Sequence, residues 1–408
     1  MRYILALNSG SSSLKFALFG LVDRHPKRLV GGKIETCGDA VTFHVDDVAG
    51  RTIANRRLSP EDVSPDADGA LDVLLEWLSV SMPGLDLAAV GHRVVHGGPT
   101  FSMPVVLDDA VVAELEQLAP LAPLHQHHNL EGIAAARAAF PDVLQIACFD
   151  TAFHSGQPFE ETAYGLPRSY YEDGIRRYGF HGLSFDYVTR QIARIAPGIA
   201  DGRIVIAHLG NGASLCAVRE RRSVTTTMGF SALGGLLMGT RCGELDPGVL
   251  LYLMSEKGMD APALTQLLYH ESGLKGLSGL SHDMRALEAT SDPHATQAIA
   301  CFVARIRREI GALAAAMGGI DALVFTGGIG ENSARIRAAV TDGLDWLGIA
   351  IDPARNEDES YELSTSRSRV RVFRIPTDEE AMIARHVVGL MAAAAADLVP
   401  VEEVRWVA

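Results

Sequence analysis

Two stretches half a chain apart carry one pattern of apolar and polar positions. Residues 4–19 and 204–218 each read as an apolar run, a turn of glycine, hydroxyl and amide residues, and a second apolar run. The pattern predicts two strand–turn–strand units, and the matching turns predict a duplicated domain. Between the repeats, strand-like runs at 89–95 and 143–149 alternate with helical spacing at 70–80 and 130–139, which predicts α/β layers. The second half repeats the theme, with helices near 248–256, 294–317 and 333–344 around a strand at Ala322–Thr326. Polar, turn-rich segments at 59–68 and 356–368 are expected as surface excursions, and the alanines at 392–396 as a helix end.

Length divides this pattern in two. A chain of 408 residues exceeds what one hydrophobic core usually fills, so two domains are expected. The break lies just after Asp150, where Ser155, Gly156 and Pro158 interrupt the periodicity. The last helix, near 379–396, is free on sequence grounds to return to either half.

Charge and cysteines then narrow the function. A formal charge of -14 argues against general affinity for nucleic acid or anionic membranes, which need a basic surface. Any anionic substrate must therefore be met by local cations. The five cysteines are scattered, with no CxxC, which suits free thiols in a reducing compartment. No apolar run reaches signal-peptide or membrane-spanning length, and the expected location is cytoplasmic.

Three glycine-bearing turns follow strands, at residues 8–13, 208–212 and 327–332. Turns without side chains let backbone N–H groups approach phosphate oxygens. None is a Walker A loop or a dinucleotide fingerprint. Lys15 follows the first turn and can reach a phosphate. Cations flanked by glycine form a second group: Gly91-His-Arg-Val-Val-His-Gly-Gly98, Tyr178-Gly-Phe-His-Gly182 and Met238-Gly-Thr-Arg-Cys-Gly243. Glycine there gives up helix propensity, which suits a tight site needing planar donors. Asp150 ends an apolar strand, where α/β proteins gather active-site groups. His125, His127 and His128 look like a metal cluster but lack a further ligand in suitable spacing.

Together with Phe149-Asp-Thr-Ala-Phe-His154, His208-Leu-Gly-Asn-Gly212, Gly328-Ile-Gly-Glu-Asn332 and Ile375-Pro-Thr-Asp-Glu-Glu380, these motifs resemble the acetate kinase family, within the acetate and sugar kinase, Hsc70 and actin superfamily. The resemblance runs over nearly the whole chain. It implies a duplicated RNase H-like fold, with residues 1–150 plus 384–408 as one domain, 151–383 as the nucleotide-binding domain, and a cleft between them. It further implies a homodimer and reversible transfer of the ATP γ-phosphate to acetate, dependent on Mg2+ or Mn2+.

By position the resemblance makes Arg93 and Arg241 the acyl-carboxylate and phosphoryl ligands, His181 a transition-state donor and Asp150 the active-site acid. Asn8 and Glu379 match the metal-site residues. Lys15, His208, Leu209, Gly210, Asn211 and Gly212 match nucleotide or phosphate contacts. So do Asp283, Met284 and Arg285, and Gly328, Ile329, Gly330, Glu331 and Asn332. Val95, Leu124, Phe180 and Ala232 match the acyl pocket.

Two segments depart from the family pattern: LAPLHNPxN reads Leu121-Ala-Pro-Leu-His-Gln-His-His-Asn129, and GFTPLEG reads Gly229-Phe-Ser-Ala-Leu-Gly-Gly235. Alanine at 232 is smaller than the family's proline, so propionate tolerance is expected. The alternatives are a propionate or butyrate kinase, and an actin-like or chaperone-like ATPase that forms no acyl phosphate.

Overall fold

The computed structural model describes residues 2–10, 13–23, 25–37, 40–59, 67–123, 125–358 and 360–397. They form two compact units, one running to Phe149 and resuming at Glu379, the other spanning Asp150–Asp378. The chain re-enters the first unit at Glu379 instead of 384, because one continuous helix begins there.

The first unit is built on an eight-stranded sheet. Its strands are β1 (Tyr3–Ser9), β2 (Ser13–Val22), β3 (His25–Cys37), β4 (Ala40–Asp47), β5 (Thr52–Leu58), β6 (Leu87–Val94), β7 (Val105–Val106) and β8 (Leu144–Phe149), in the order β5-β4-β3-β2-β1-β6-β8-β7. Strand β1 runs antiparallel to β2 and parallel to β6. Ile4, Leu5, Ala6 and Leu7 are buried on both faces, as a central strand covered on each side requires. Phe16, Phe43 and Trp77 of helix α1 (Ala67–Ser81) meet at ring-centroid distances of 5.9–6.3 Å. Helix α2 (Gln126–Ala139) packs beside α1.

The second unit repeats the plan with five strands: β9 (Ile204–Leu209), β10 (Ala213–Arg219), β11 (Arg222–Thr226), β12 (Ala322–Thr326) and β13 (Arg371–Arg374), ordered β11-β10-β9-β12-β13. Strands β9 and β10 are antiparallel, whereas β12 is parallel to both β9 and β13. The core order β3-β2-β1-β6-β8 of the first sheet therefore recurs strand for strand. Helix α3 (Gly182–Ile195) buries Phe185, Val188 and Ile192, one face at helical spacing, against β9, β10 and β12. Helix α4 (Pro293–Ala316) starts on an Asp292 cap whose carboxylate accepts from the His294 N–H.

Two expectations are corrected. Residues 327–332 form a short helix, α5 (Gly327–Asn332), and not an open turn. Residues 356–368 are not a loose excursion: Asn356, Leu363 and Ser364 are buried, and bridges tie Ile351 to Ser364 and Glu362 to Phe373. Asn356 is anchored inside, accepting from Arg337 Nε at 2.8 Å, whereas Glu357, Tyr361 and Arg367 keep to the surface as expected. Most of the other expected excursion, at 59–68, lies outside the described residues, as does Leu124.

Candidate active site

In the first unit, polar side chains gather where β1 and β6 end. Asn8 lies at the end of β1 and Arg93 near the end of β6; Glu379 opens helix α6 (Glu379–Asp397). Asn8 Nδ2 donates to Glu379 Oε2 at 3.1 Å, and Arg93 Nη1 donates to Asn8 Oδ1 at 3.0 Å. Arg93 Nε lies 3.8 Å from the same Glu379 oxygen. The three are largely buried, so their mutual bonds satisfy what water would otherwise supply. The cluster orients one guanidinium beside two hard oxygen donors. Asn129 stiffens the strand ends by accepting from Val95 N at 2.9 Å and donating to Ser9 O at 2.7 Å. Val95 is buried, and Lys15 stands opposite Asn8 in the β1–β2 register with its side chain exposed.

Gly91 corrects one expectation. A Cβ there would sit 2.5 Å from Ile383 Cγ2 and 2.8 Å from Val387 Cγ2. This glycine admits α6 onto the sheet, so its reason is helix packing and not the tightness of a ligand site.

In the second unit the chemistry converges over Gly212. His181 adopts a left-handed backbone, φ 58° and ψ 24°, just before α3, a conformation uncommon for a side-chain-bearing residue. Its Nδ1 meets Ser214 Oγ at 2.8 Å, and its ring stacks on His208 with centroids 4.2 Å apart. His208 Nδ1 in turn meets Ser184 Oγ at 2.8 Å, and Thr377 Oγ1 bonds Ser184 Oγ at 2.8 Å. A Cβ on Gly212 would lie 3.2 Å from His181 Nε2 and 3.8 Å from Arg241 Nη1. Two side-chain nitrogens thus face a position kept clear by a missing side chain. Arg241 Nη1 donates to Ala232 O at 3.1 Å, which ties the 229–235 loop to the guanidinium. Phe180 and Ala232 are buried, and Asp150 is buried at the end of β8.

The remaining expected contacts divide. Gly239 leaves room for Asn211, because a Cβ there would fall 2.1 Å from Asn211 Oδ1. Gly210 N closes the 210–212 turn on Gly212 O at 3.0 Å. Leu209 is buried. Asp283 caps a short helix and pairs with Arg285 at 2.7 Å, which holds its carboxyl below the usual range. Met284 is buried, so its thioether packs in the core and only its backbone can meet a ligand. Gly328 and Ile329 lie in the first turn of α5 and Gly330 is buried within it. The Glu331 carboxylate is spent inside the fold, accepting from Gly327 N at 2.8 Å and Thr377 N at 3.0 Å. Asn332 Nδ2 donates to Gly328 O at 2.9 Å. His127 and His128 both pair with Glu131 at 3.1 Å, and among the described residues no group of three or more His, Cys, Asp or Glu could hold a metal.

Sequence reading missed Ser184, Ser214 and Thr377 as partners of the histidines. The one available signal was Ser214, a hydroxyl inside the otherwise apolar run of β10.

Two units of one sheet order, each ending in charged or glycine-lined turns, define a duplicated RNase H-like, actin-like ATPase fold. The family model described as the acetokinase family matches residues 3–385. An acetate kinase from Methylocella silvestris is 52% identical over 396 residues, covering 96% of this chain and 98% of the relative. The crystal structure of a propionate kinase from Francisella tularensis superposes with TM-score 0.87 at 35% identity, covering 95% of this chain and 99% of that one. An acetate kinase structure from Porphyromonas gingivalis gives 0.84 at 36% identity, with 96% and 100% covered. The chain belongs to the acetokinase family.

Proposed function

We propose that this chain is an ATP:acetate phosphotransferase that forms acetyl phosphate and ADP reversibly, and that it tolerates propionate. The observation that carries the reading is the convergence of His181 Nε2 and Arg241 Nη1 over Gly212. A carboxylate acceptor is already an anion at neutral pH, so the reaction needs no base to create its nucleophile. The obstacle is repulsion between two anions, which fixed cationic and hydrogen-bonding donors relieve.

Arg93 holds the acyl carboxylate, and Arg241 and His181 stabilise the phosphoryl group in flight. Asp150 orients a cation and does not remove a proton. Val95, Phe180 and Ala232 line the methyl group. The turn at 208–212, the short helix α5, the 283–285 segment and Lys15 receive the nucleotide. Residues 150–378 form the nucleotide-binding domain.

Asn8 Oδ1 and the Glu379 carboxylate would suit Mg2+ as hard oxygen donors once they exchange their bonds to Arg93 and to the Asn8 amide for the ion, which commonly takes its other ligands from phosphates and water. When bound, the ion supplies charge neutralisation at the phosphate oxygens.

The protein acts in the cytoplasm as a homodimer, with no nucleic-acid or membrane partner. The dimer is supported by the helix Pro247–Lys257, which buries no residue and leaves Leu251, Tyr252 and Met254 exposed. Among the described residues no helix is long and apolar enough to cross a membrane.

Trapping the acyl phosphate with hydroxylamine, with ATP and with or without acetate, tests the reading. Hydroxamate should form only when the acid is present; ATP hydrolysis without hydroxamate would reject it in favour of an ATPase. Running the same assay with propionate, before and after Ala232→Pro, tests the pocket. The substitution should raise acetate preference by about 10-fold, in line with the worth of one methylene.

A further inference from the structure

The motif at 149–154 and the motif at 178–182 are bound to each other twice. Gly182 N donates to the backbone carbonyl of Asp150 at 2.9 Å, and a Cβ on Gly182 would lie 2.1 Å from that oxygen. At the other end of the turn, His154 Nε2 lies 3.0 Å from Phe180 O. Between these two anchors stands His181, in its left-handed conformation. Gly179, at φ 76°, lets the turn lie against the imidazole, because a Cβ there would fall 2.7 Å from His154 Cδ2.

The tautomer of His154 follows by elimination. A carbonyl oxygen only accepts, so Nε2 carries the proton that reaches Phe180 O. Burial drives the imidazole pKa down to about 4, so the ring is neutral near pH 7 and Nδ1 is an acceptor. Ser223 Oγ, 2.8 Å from Nδ1, must therefore donate to it. The serine oxygen receives a bond from Gln157 Nε2 at 2.8 Å and has Cys216 Sγ at 3.3 Å. The donor direction thus runs from Gln157 through Ser223 and His154 to the carbonyl that precedes His181.

We infer that His154 is a positioning residue for the phosphoryl-transfer step, fixing the Phe180–His181 peptide so that the His181 imidazole points at the space above Gly212. His154 touches no reactant in this role and acts through the backbone. The inference rests on the role proposed above for His181.

The test compares His154→Leu, His154→Gln and Ser223→Ala, alone and with His181→Ala, in steady-state assays with acetate, ATP and Mg2+. His154→Leu should lower kcat by about 10- to 100-fold with both KM values held within about twofold, because the Phe180–His181 peptide loses the bond to His154 that holds the imidazole in place. His154→Gln should recover most of the loss, because its Nε2 can still donate to Phe180 O. Ser223→Ala should lower kcat by about threefold with KM unchanged, since the ring keeps its bond to Phe180 O and loses only the one that holds its far side. In the His181→Ala background, His154→Leu should add less than about a twofold loss.

A His154→Leu enzyme with parental kcat would overturn the inference, as would equal losses for Leu and Gln, or losses that multiply in the His181→Ala background. Should His154→Leu fail to fold, the other two decide: an active His154→Gln with an impaired Ser223→Ala supports the inference, and a parental Ser223→Ala overturns it. A parental kcat for His181→Ala itself would instead remove the functional reading, and this inference with it.

Discussion

The two sheets share one strand order and spend it on different chemistry. At the end of β1 the first unit places an asparagine side chain, bonded to an arginine and a glutamate. At the end of β9 the second unit places His208 and a glycine turn, with a second histidine stacked on the first. The ends of β6 and β12 differ in the same way: Arg93 lies at one and the glycines of α5 at the other. A parallel strand end is a place where side chains and free backbone groups can gather. The residue types found there decide whether it presents charge or open space.

Removing a cation from each unit should separate them most sharply. On the role proposed for it, in which its donors act where charge develops, Arg241→Ala is expected to lower kcat by about 10³-fold with little change in KM. On its proposed role as the carboxylate clamp, Arg93→Ala should instead raise the acetate KM by about 10- to 100-fold. Steady-state kinetics against both substrates checks the split, and similar effects of the two changes would erase the distinction drawn between the units.

A smaller effect is expected from filling the open space. Gly212→Ala needs no unusual backbone, as Gly212 is not among the positive-φ glycines, but its methyl would crowd His181 Nε2 at 3.2 Å. The expected outcome is a loss of about 10- to 100-fold in kcat/KM with Tm nearly unchanged. Loss of Tm without loss of kcat/KM would make this glycine a folding residue only.

The mildest test concerns what the units have in common, a buried neutral histidine each. His92 Nε2 lies 2.8 Å from Gln145 Oε1, and the Gln145 amide donates to Ala136 O and Phe140 O, so His92 is the donor. Burial lowers both His92 and His154 to about 4. Their unfolded value lies near 6.5, so the unfolded chain binds more protons between the two. The stability they contribute is complete above pH 6.5 and is lost as the pH falls through about 4. The drop corresponds to about 3 kcal/mol per histidine. Urea titrations across pH 4–7 should show that slope, and His92→Gln and His154→Gln should each remove part of it. An unchanged slope in both variants would assign the acid lability elsewhere.

Much of this was legible in the residues alone. The repeated apolar–turn–apolar pattern announced the duplication, and alternation of strand and helix spacing announced the layers, because side-chain period follows directly from backbone geometry. The glycine-flanked cations were visible as unusual neighbours. Their reasons were not all visible. Gly91 serves the packing of α6, Glu331 braces Thr377, Met284 is core, and the polar run at 356–368 is pinned by a buried asparagine at its start.

What the sequence determined by itself was the inventory: the strands, most of their turns, and the glycines and cations at the strand ends. Tertiary structure alone decided which of them face each other. The 149–154 segment grips the 178–182 turn, and Ser214 meets His181 from 33 positions away. Hydrogen bonds and close contacts depend on distance in space, and no local period records which distant strand end will arrive beside another.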